Sequence, residues 1–323
     1  MNISFNKGYS VYESGEEPIF VTPHSGPAFE VTTSRDEYSE TIASLCWQKL
    51  GGKFIVSNVS RKRAWGIDFN RDIPEISIAL DVYKKFVKDE EADELREYRQ
   101  KYSWVAKNEE DYKNRLQIYN NFWDEVKKGN FIVLIHRAFT RIKAIPSIMD
   151  LTTFDNQGMD KKILKEIVEE INKKYYDFLK NIEKEYKNVV KLEQERIISN
   201  IMRIYGTIEL KKVGVEFKTH LENDLKAIKR YAEKESIKKL EEKFTPEHFL
   251  EAVDNALEHV GIPKITVEEV FKGILATGPK KQLFPSRNKK IIQFEPTSFL
   301  SFWYPHKGAD IICDVIEEVK KII

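Results

Sequence analysis

The sequence predicts an α/β fold: an open, mixed and mainly parallel sheet flanked by helices, with a long helical, coiled-coil-like insertion. The first observation is that short apolar runs alternate with amphipathic helical stretches, which is typical of parallel sheets covered by helices. The second is that residues 160–260 carry a helical pattern almost without interruption. We therefore expect an α/β domain formed by residues 1–155 and 262–323, and a helical arm formed by residues 156–261.

The first part of the predicted sheet is a strand–helix–strand unit. Residues 18–22 form a short apolar run, and residues 54–59 form a second one. Between them, Ser34 is placed to cap a helix with Glu37 as its capping-box partner, and the glycines at 51–52 end that helix. Because a strand, a helix and a strand in this order pair in parallel, the unit predicts an open sheet.

Two further strands are predicted where apolar runs meet a polar residue. Residues 131–135 are apolar throughout, as in a central strand that is buried on both faces, and His136 follows. Residues 290–294 form the last predicted strand, which ends at Glu295.

Helical patterns fill most of the remaining chain. Apolar residues near heptad spacing and a break at 206–217 predict two amphipathic arms that pack as an antiparallel hairpin or coiled coil. Thr245, followed by a proline, is placed to begin a shorter helix. Other helices are predicted at 80–128 and 309–323.

Composition and charge exclude several classes of protein. The 53 Lys and Arg residues nearly balance the 52 Asp and Glu residues, so the net charge of +1 provides no overall attraction to nucleic acids or anionic membranes. No signal pattern and no apolar run of roughly 18 residues occurs, so we expect a cytoplasmic protein without a membrane partner. Cys46 and Cys313 lie in apolar helical contexts and are expected to be buried rather than to form a disulfide framework.

Three polar residues lie at the ends of predicted strands: His24, His136 and Glu295. Ligands of open α/β sheets bind at the carboxyl ends of strands, so we expect these side chains to meet in one cleft. Neutral imidazole is a good zinc ligand, and a catalytic zinc needs three protein ligands and one open position. A carboxylate such as Glu295 can act there as a general base.

The third metal ligand is expected to be an acid near the start of the first helix. Asp36 lies in the predicted first turn, and Glu40 lies one turn later on the same face. Glu37 is the weaker candidate because a capping role would occupy it. The residues alone leave this choice open.

A basic cluster follows the second predicted strand. Arg61, Arg63 and Arg71 lie close to Asn70 in the sequence. A planar guanidinium fits a carboxylate through two hydrogen bonds, and an amide adds directional donors. Trp65 would suit stacking on nucleic-acid bases, but one short patch in a nearly neutral chain favours a small carboxylate-bearing ligand and no nucleic acid.

Five segments of the sequence occur in the same order as similar motifs in a known enzyme family. They are Pro23-His24-Ser25-Gly26, Asp36-x-Tyr38-x-Glu40, Ser60-Arg61 with Ile67-Asp68-Phe69-Asn70-Arg71, the strand that ends in His136, and Gln293-Phe294-Glu295. In this order they resemble the N-formylglutamate amidohydrolases, which are related in fold to the zinc carboxypeptidases and aspartoacylases. The resemblance covers residues 18–140 well and 265–305 loosely, and the helical region is not part of it.

The resemblance implies a zinc-dependent enzyme with one Zn²⁺ per chain. His24 and His136 would bind the ion, and Asp36 or Glu40 would complete the site. Glu295 would activate water.

The resemblance also implies how a substrate would be bound. Asn70 and Arg71 would clamp its carboxylate, and Ser25 of the first motif is assigned to substrate binding as well. Arg61 or Arg63 would polarise the carbonyl of the bond to be cleaved.

The leading hypothesis is therefore a metal-dependent amidohydrolase acting on an N-acyl amino acid or a similar small carboxylate-bearing substrate. The alternative is a catalytically inactive α/β scaffold whose helical arms mediate protein–protein interaction or homo-oligomer formation. Acids that point away from His24 and His136 would favour the scaffold.

Overall fold

The structure is a computed structural model that describes residues 1–26, 35–61, 66–86, 92–285 and 289–322. The predicted helix cap Ser34, and Arg63 and Trp65 of the basic cluster, lie outside the described residues. Within these ranges the α/β class is confirmed, because helices pack on an eight-stranded mixed sheet that is mostly parallel.

The sheet contains all four strands that the sequence predicts and four that it does not. The strands are β1 Asn2–Asn6, β2 Tyr9–Glu13, β3 Ile19–Thr22, β4 Lys53–Ser57, β5 Phe131–Ile135, β6 Ser147–Thr152, β7 Lys264–Val267 and β8 Lys290–Pro296. Their order across the sheet is β1-β2-β4-β3-β5-β8-β6-β7. The predicted strands β4, β3, β5 and β8 form its parallel centre. On either side, β2 joins β4 and β6 joins β8 in antiparallel pairing.

Helices account for most of the rest of the described chain. They are α1 Ser39–Leu50, α2 Ile76–Phe86, α3 Asp93–Lys101, α4 Glu109–Val126, α5 Lys161–Lys174, α6 Tyr176–Tyr205, α7 Val215–Tyr231, α8 Lys234–Glu242, α9 Pro246–His259, α10 Thr277–Leu283, α11 Ser298–Trp303 and α12 Pro305–Lys320. The helix α1 connects β3 to β4, which pair in parallel, so the strand–helix–strand unit is confirmed. Thr245 caps α9 as predicted, since its side chain accepts a hydrogen bond from His248 N.

The central strands are buried on both faces, which leaves their ends as the places for polar groups. In β5, Ile132 and Leu134 belong to one buried cluster, together with Phe122 of α4. Phe131 and Val133 belong to a second cluster that also contains residues of α1 and α12. Alternate side chains of a strand point to opposite faces, so this division places the sheet between two helical layers.

The helical segment, residues 161–259 with helices α5 to α9, lies between β6 and β7 in the chain. Leu164 and Ile228 of this segment share one buried cluster with Val133 of β5. The two predicted arms are four helices, α5 to α8, because the chain breaks at Tyr175 and again between α7 and α8. The fifth helix, α9, is the shorter one that Thr245 begins. A coiled-coil-like insertion is therefore not confirmed.

Two further expectations concern membranes and cysteines. Across the described ranges, no helix has the length and apolar character needed to cross a membrane. Cys46 of α1 and Cys313 of α12 are both free and buried, as predicted, and Cys46 Sγ lies 3.7 Å from Ala309 O.

Candidate metal centre

Three residues from separate parts of the chain meet at the carboxyl end of the sheet. His24 follows β3, His136 follows β5, and Asp36 lies just before α1. Two backbone hydrogen bonds of 2.9 Å place them, from Asp36 N to His24 O and from His136 N to Phe294 O. All three residues are buried, with exposed fractions of 3–4%. Together with Asp68 and Glu295, they are called the strand-end site below.

The candidate ligand atoms converge on one carboxylate oxygen. Asp36 Oδ2 lies 3.2 Å from His24 Nδ1 and 3.0 Å from His136 Nδ1, and the ligand atoms of the three residues all lie within 4.8 Å of one another. A tetrahedral zinc ion with bonds of 2.0–2.1 Å separates its ligand atoms by roughly 3.3 Å. Two imidazole nitrogens and a carboxylate at this spacing form a group that could hold a metal ion.

The partners of His24 determine which of its nitrogens is available to a metal. His24 Nε2 lies 2.9 Å from Asp68 Oδ1, and an ionised carboxylate only accepts hydrogen bonds, so Nε2 carries the proton. Arg61 Nη1 lies 2.7 Å from His24 Nδ1, and a guanidinium only donates, so Nδ1 presents its lone pair. The nitrogen that faces Asp36 is therefore the one that can bind a cation, and the Arg61 guanidinium would have to leave that lone pair.

His136 is oriented by Asn70. Asn70 Nδ2 lies 3.3 Å from His136 Nε2, and Asn70 N donates to Asp68 Oδ1 at 2.9 Å. A cation at His136 Nδ1 requires a proton on Nε2, which the Asn70 side-chain oxygen accepts once the amide is turned by 180°. Asn70 thus contacts a candidate metal ligand, in addition to the substrate role that the sequence suggests.

Two arginines balance the buried acids. Arg61 Nη2 lies 3.2 Å from Asp36 Oδ1, and Arg71 Nε lies 4.0 Å from Asp68 Oδ2. Burial raises the pKa of Asp36, but Arg61 and the two histidines outweigh it and hold that pKa well below the ordinary 3.8. Burial likewise opposes ionisation of Asp68, whereas Arg71 and then His24 lower its pKa far below 3.8. Both acids are therefore carboxylates at neutral pH.

Glu295 differs from both aspartates in its charge. It lies within β8, next to the end of β5, and is 8% exposed. Gln293 Nε2 donates to Glu295 Oε1 at 2.7 Å. Burial raises the pKa of Glu295 from 4.5 to about 7, and Asp36 adds to this effect, while His136 opposes it. A carboxyl group that titrates near neutral pH can both accept and deliver a proton.

The structure distinguishes among the three acids that the sequence offers as the third metal ligand. Asp36 joins the histidines, whereas Glu40 pairs with Arg35 and Glu37 Oε2 lies 3.3 Å from Arg137 Nη1. The predicted position of Asp36 in the first helical turn is wrong, because α1 begins at Ser39. Asp36 therefore lies in the preceding loop. The helical spacing that would place Asp36 and Glu40 on the same face does not apply there.

The helix start also differs from the predicted capping box. Tyr38 occupies the N-cap position with a left-handed backbone, φ of 67°, and makes no side-chain capping hydrogen bond. Glu37 is engaged by Arg137 instead. A left-handed tyrosine costs backbone energy, and such positions cluster where a structure holds a functional loop.

The remaining predicted substrate residues have different surroundings. Arg71 Nη1 donates to Leu275 O at 2.5 Å, and its side chain is 16% exposed, so it lies at the edge of the site. The Ser25 hydroxyl is buried beside the carbonyl oxygens of Thr22 and Ser57, at 2.9 and 3.1 Å. Ser25 therefore stabilises the turn after β3, and its role in substrate binding stays a prediction.

Two residues that contact the candidate site are missing from the set predicted from the sequence. Asp68 contacts His24, and Gln293 contacts Glu295. The second ring N–H of a metal-binding histidine usually donates a hydrogen bond to a carboxylate. The only acid within the basic cluster, Asp68, could therefore have been predicted as the partner of His24. Gln293 is two residues before Glu295. Because alternate residues of a strand lie on the same face, the sequence could have predicted that the two side chains are neighbours.

Comparison with known proteins gave no match. No family model matches the chain, and neither does any curated protein or solved structure. The resemblance to the N-formylglutamate amidohydrolases therefore stays a prediction based on short motifs.

Proposed function

We propose that the protein is a metal-dependent amidohydrolase that cleaves an amide bond of an N-acyl amino acid or a similar small carboxylate-bearing substrate. The observation that carries the proposal is the convergence of two imidazole nitrogens on Asp36 Oδ2. A carboxyl group with a pKa of about 7, that of Glu295, lies on the strand next to His136.

The donor set favours zinc as the metal. His24, Asp36 and His136 would hold it, and two histidines with one carboxylate leave a fourth position open, as in catalytic zinc sites. Zinc bound there would polarise a carbonyl and lower the pKa of water. The hydrogen bond between Asp68 and His24 would fix the imidazole in the tautomer that binds the metal.

Glu295 would move the protons of the reaction. In its ionised form it would accept a proton from the attacking water and later deliver that proton to the leaving amine. Its pKa of about 7 suits both steps, since a stronger acid would accept the proton less readily. Gln293 would keep one carboxylate oxygen in place through its 2.7 Å hydrogen bond.

Two arginines would bind and orient the substrate. Arg71, at the edge of the site, would bind the substrate carboxylate and so hold the amide near the reacting groups. Arg61 contacts both His24 and Asp36, and after withdrawing from His24 Nδ1 it would lie close to the carbonyl oxygen of the amide. There its charge would stabilise the negative charge that develops during attack.

The test is metal content and hydrolysis measured on the same samples. Wild type, His24→Ala and His136→Ala are reconstituted with zinc, dialysed and analysed by mass spectrometry. His259→Ala is the matched control, because His259 lies on α9 with a side chain 44% exposed. Release of amine is then measured for N-formyl and N-acetyl amino acids, and for the same compounds with the carboxylate converted to an amide.

We expect about one zinc per chain in wild type and control and almost none in the two site variants, because each removes one of three ligands. We also expect hydrolysis of the substrates that have a free carboxylate and little hydrolysis of those in which the carboxylate is converted to an amide. A wild-type protein that retains no zinc after reconstitution would rule out this mechanism. If the protein binds zinc but hydrolyses both sets of substrates equally well, Arg71 does not bind the substrate carboxylate.

A further inference from the structure

The loop that follows His136 is joined to the chain that follows Glu295. Ala138 N donates to Pro296 O at 2.9 Å, and Ser298 N donates to Ala138 O at 2.7 Å. The segments leaving a candidate metal ligand and the candidate general base are therefore connected directly. Any contact that displaces this loop would act on both residues.

A buried ion pair connects the same loop to the helical segment. Arg141 Nη2 lies 2.5 Å from Asp224 Oδ2 on α7, and Gln194 Nε2 on α6 donates to the same oxygen at 3.0 Å. Asp224 and Gln194 are fully buried, and Arg141 is 3% exposed. Beyond Arg141, the 3-10 turn Ile142–Ala144 packs against α7.

An ion pair in this position is an unusual way to attach helices to a sheet. Removing two charges from water costs several kcal/mol per ion, and apolar side chains of similar volume often give equal or greater stability. Most of the contact between the helical segment and the sheet is apolar already. A buried pair adds something that apolar packing lacks, which is one defined orientation of the loop.

Lys143 shows that the loop lies between the helical segment and the strand-end site. Burial and then Arg141 lower the pKa of Lys143, whereas Asp224 and Glu295 raise it. The Lys143 ammonium therefore lies within electrostatic range of an acid from each region. A shift of the loop would change the surroundings of Glu295 as well as those of His136.

We propose that Asp224, assisted by Gln194, is a positioning residue through which the helical segment sets the geometry of the metal site. Asp224 fixes Arg141, Arg141 fixes the loop, and the loop fixes His136. This inference rests on the proposed function, since it assumes that His136 binds a metal. It assigns the helical segment a role in metal affinity.

The test compares zinc affinity in variants that fold. Arg141→Met combined with Asp224→Leu removes both charges together, so neither remains buried without a partner. Zinc affinity is measured by competition with a chromogenic chelator, and stability by thermal unfolding of the metal-free protein. Tyr186→Phe is the matched control, because Tyr186 is buried and its hydroxyl donates to Ser147 O on β6, at 2.9 Å.

We expect the double variant to fold and to unfold near the wild-type temperature, because the benefit of removing two buried charges is offset by the Gln194 amide that loses its partner. We also expect it to bind zinc about 2- to 30-fold more weakly, the range in which residues remote from a ligand modulate its binding. The Tyr186→Phe control should bind zinc as wild type does. Wild-type zinc affinity in a folded double variant would overturn the inference while leaving the proposed function intact. Failure of the wild type to bind zinc would overturn both, so the two failures are distinguishable.

A second variant covers the case in which the double variant does not fold. Gln194→Met removes one hydrogen bond from Asp224 without leaving a charge unpaired. Weaker zinc binding by this variant supports the inference, and unchanged binding contradicts it.

Discussion

The strand-end site and the helical segment place charged side chains in opposite environments. Asp36, Asp68 and Glu295 are only 4–8% exposed. In the helical segment, pairs such as Lys191 with Asp254 remain at the surface, where both side chains are 43% exposed. Burying a charge costs free energy that a surface pair does not incur. The strand-end site therefore holds its acids out of water, at a cost that the proposed chemistry would explain, whereas the helical segment keeps its charges solvated.

Asp224 is the exception that connects the two regions. It belongs to the helical segment but is fully buried, and its partner Arg141 lies on the loop after His136. Its environment therefore resembles that of the strand-end site. This is the pattern expected if the helical segment contributes to the site through that one contact.

The largest effect should follow from neutralising Glu295. Glu295→Gln should reduce turnover by about 10²- to 10⁴-fold, because the general base is lost. In the metal-free protein the same change should stabilise the fold above pH 7. The folded-state pKa of about 7 exceeds the ordinary 4.5, so the stability that protonated Glu295 contributes is full below pH 4.5 and is lost as the pH rises through 7. Glutamine avoids that loss, which amounts to about 3 kcal/mol.

Urea unfolding with a chelator at pH 5 and pH 8 measures this difference. Glu251→Gln is the control from the helical segment, since Glu251 forms a surface pair with Lys239 and is 52% exposed. The control should show no gain in stability on going to pH 8. An equal difference between Glu295→Gln and wild type at both pH values would show that Glu295 is not desolvated.

The elements that the sequence predicts correctly depend on local patterns. The central strands β3, β5 and β8 are short apolar runs next to a polar residue, and this pattern indicates both the strand and the end at which the candidate site lies. The strand β6 is not predicted because Asp150 interrupts its apolar pattern. Its buried carboxylate accepts hydrogen bonds from Thr266 Oγ1, at 2.6 Å, and from the backbone N–H groups of Val270 and Phe271, at 2.8 and 2.7 Å. No local pattern can reveal such partners, which lie far away in the chain.

The same limit applies to the site and to the helices. His24 and His136 follow from their strand-end positions, whereas the choice of Asp36 over Glu40 depends on where α1 begins. The helix begins after Tyr38, which has a left-handed backbone. Tyrosine has no intrinsic preference for that conformation, so the sequence could not predict where the helix begins. A helical period likewise identifies the buried face of α7 but not its neighbour, so the contact of Asp224 with Arg141 had no sequence indication.

An intermediate effect should follow from changing the partner of a candidate ligand. Asp68→Asn should weaken zinc binding about 10- to 100-fold, because an amide no longer fixes the tautomer and orientation of His24 as a carboxylate does. Chelator competition measures the affinity. Asp254→Asn applies the same chemical change in the helical segment and should leave zinc affinity unchanged. Equal affinities for wild type and Asp68→Asn would mean that the 2.9 Å contact with His24 serves the fold alone.

The smallest effect should come from the surface pair itself. Lys191 Nζ lies 2.7 Å from Asp254 Oδ2, between α6 and α9. Because both side chains are 43% exposed, Lys191→Met should change the free energy of unfolding by no more than about 1 kcal/mol, and salt should reduce even that difference. Urea unfolding at low and high ionic strength, with zinc content measured in parallel, provides the comparison. A loss of several kcal/mol, or any loss of zinc, would show that surface charges of the helical segment are coupled to the strand-end site, and the contrast between the two regions would no longer hold.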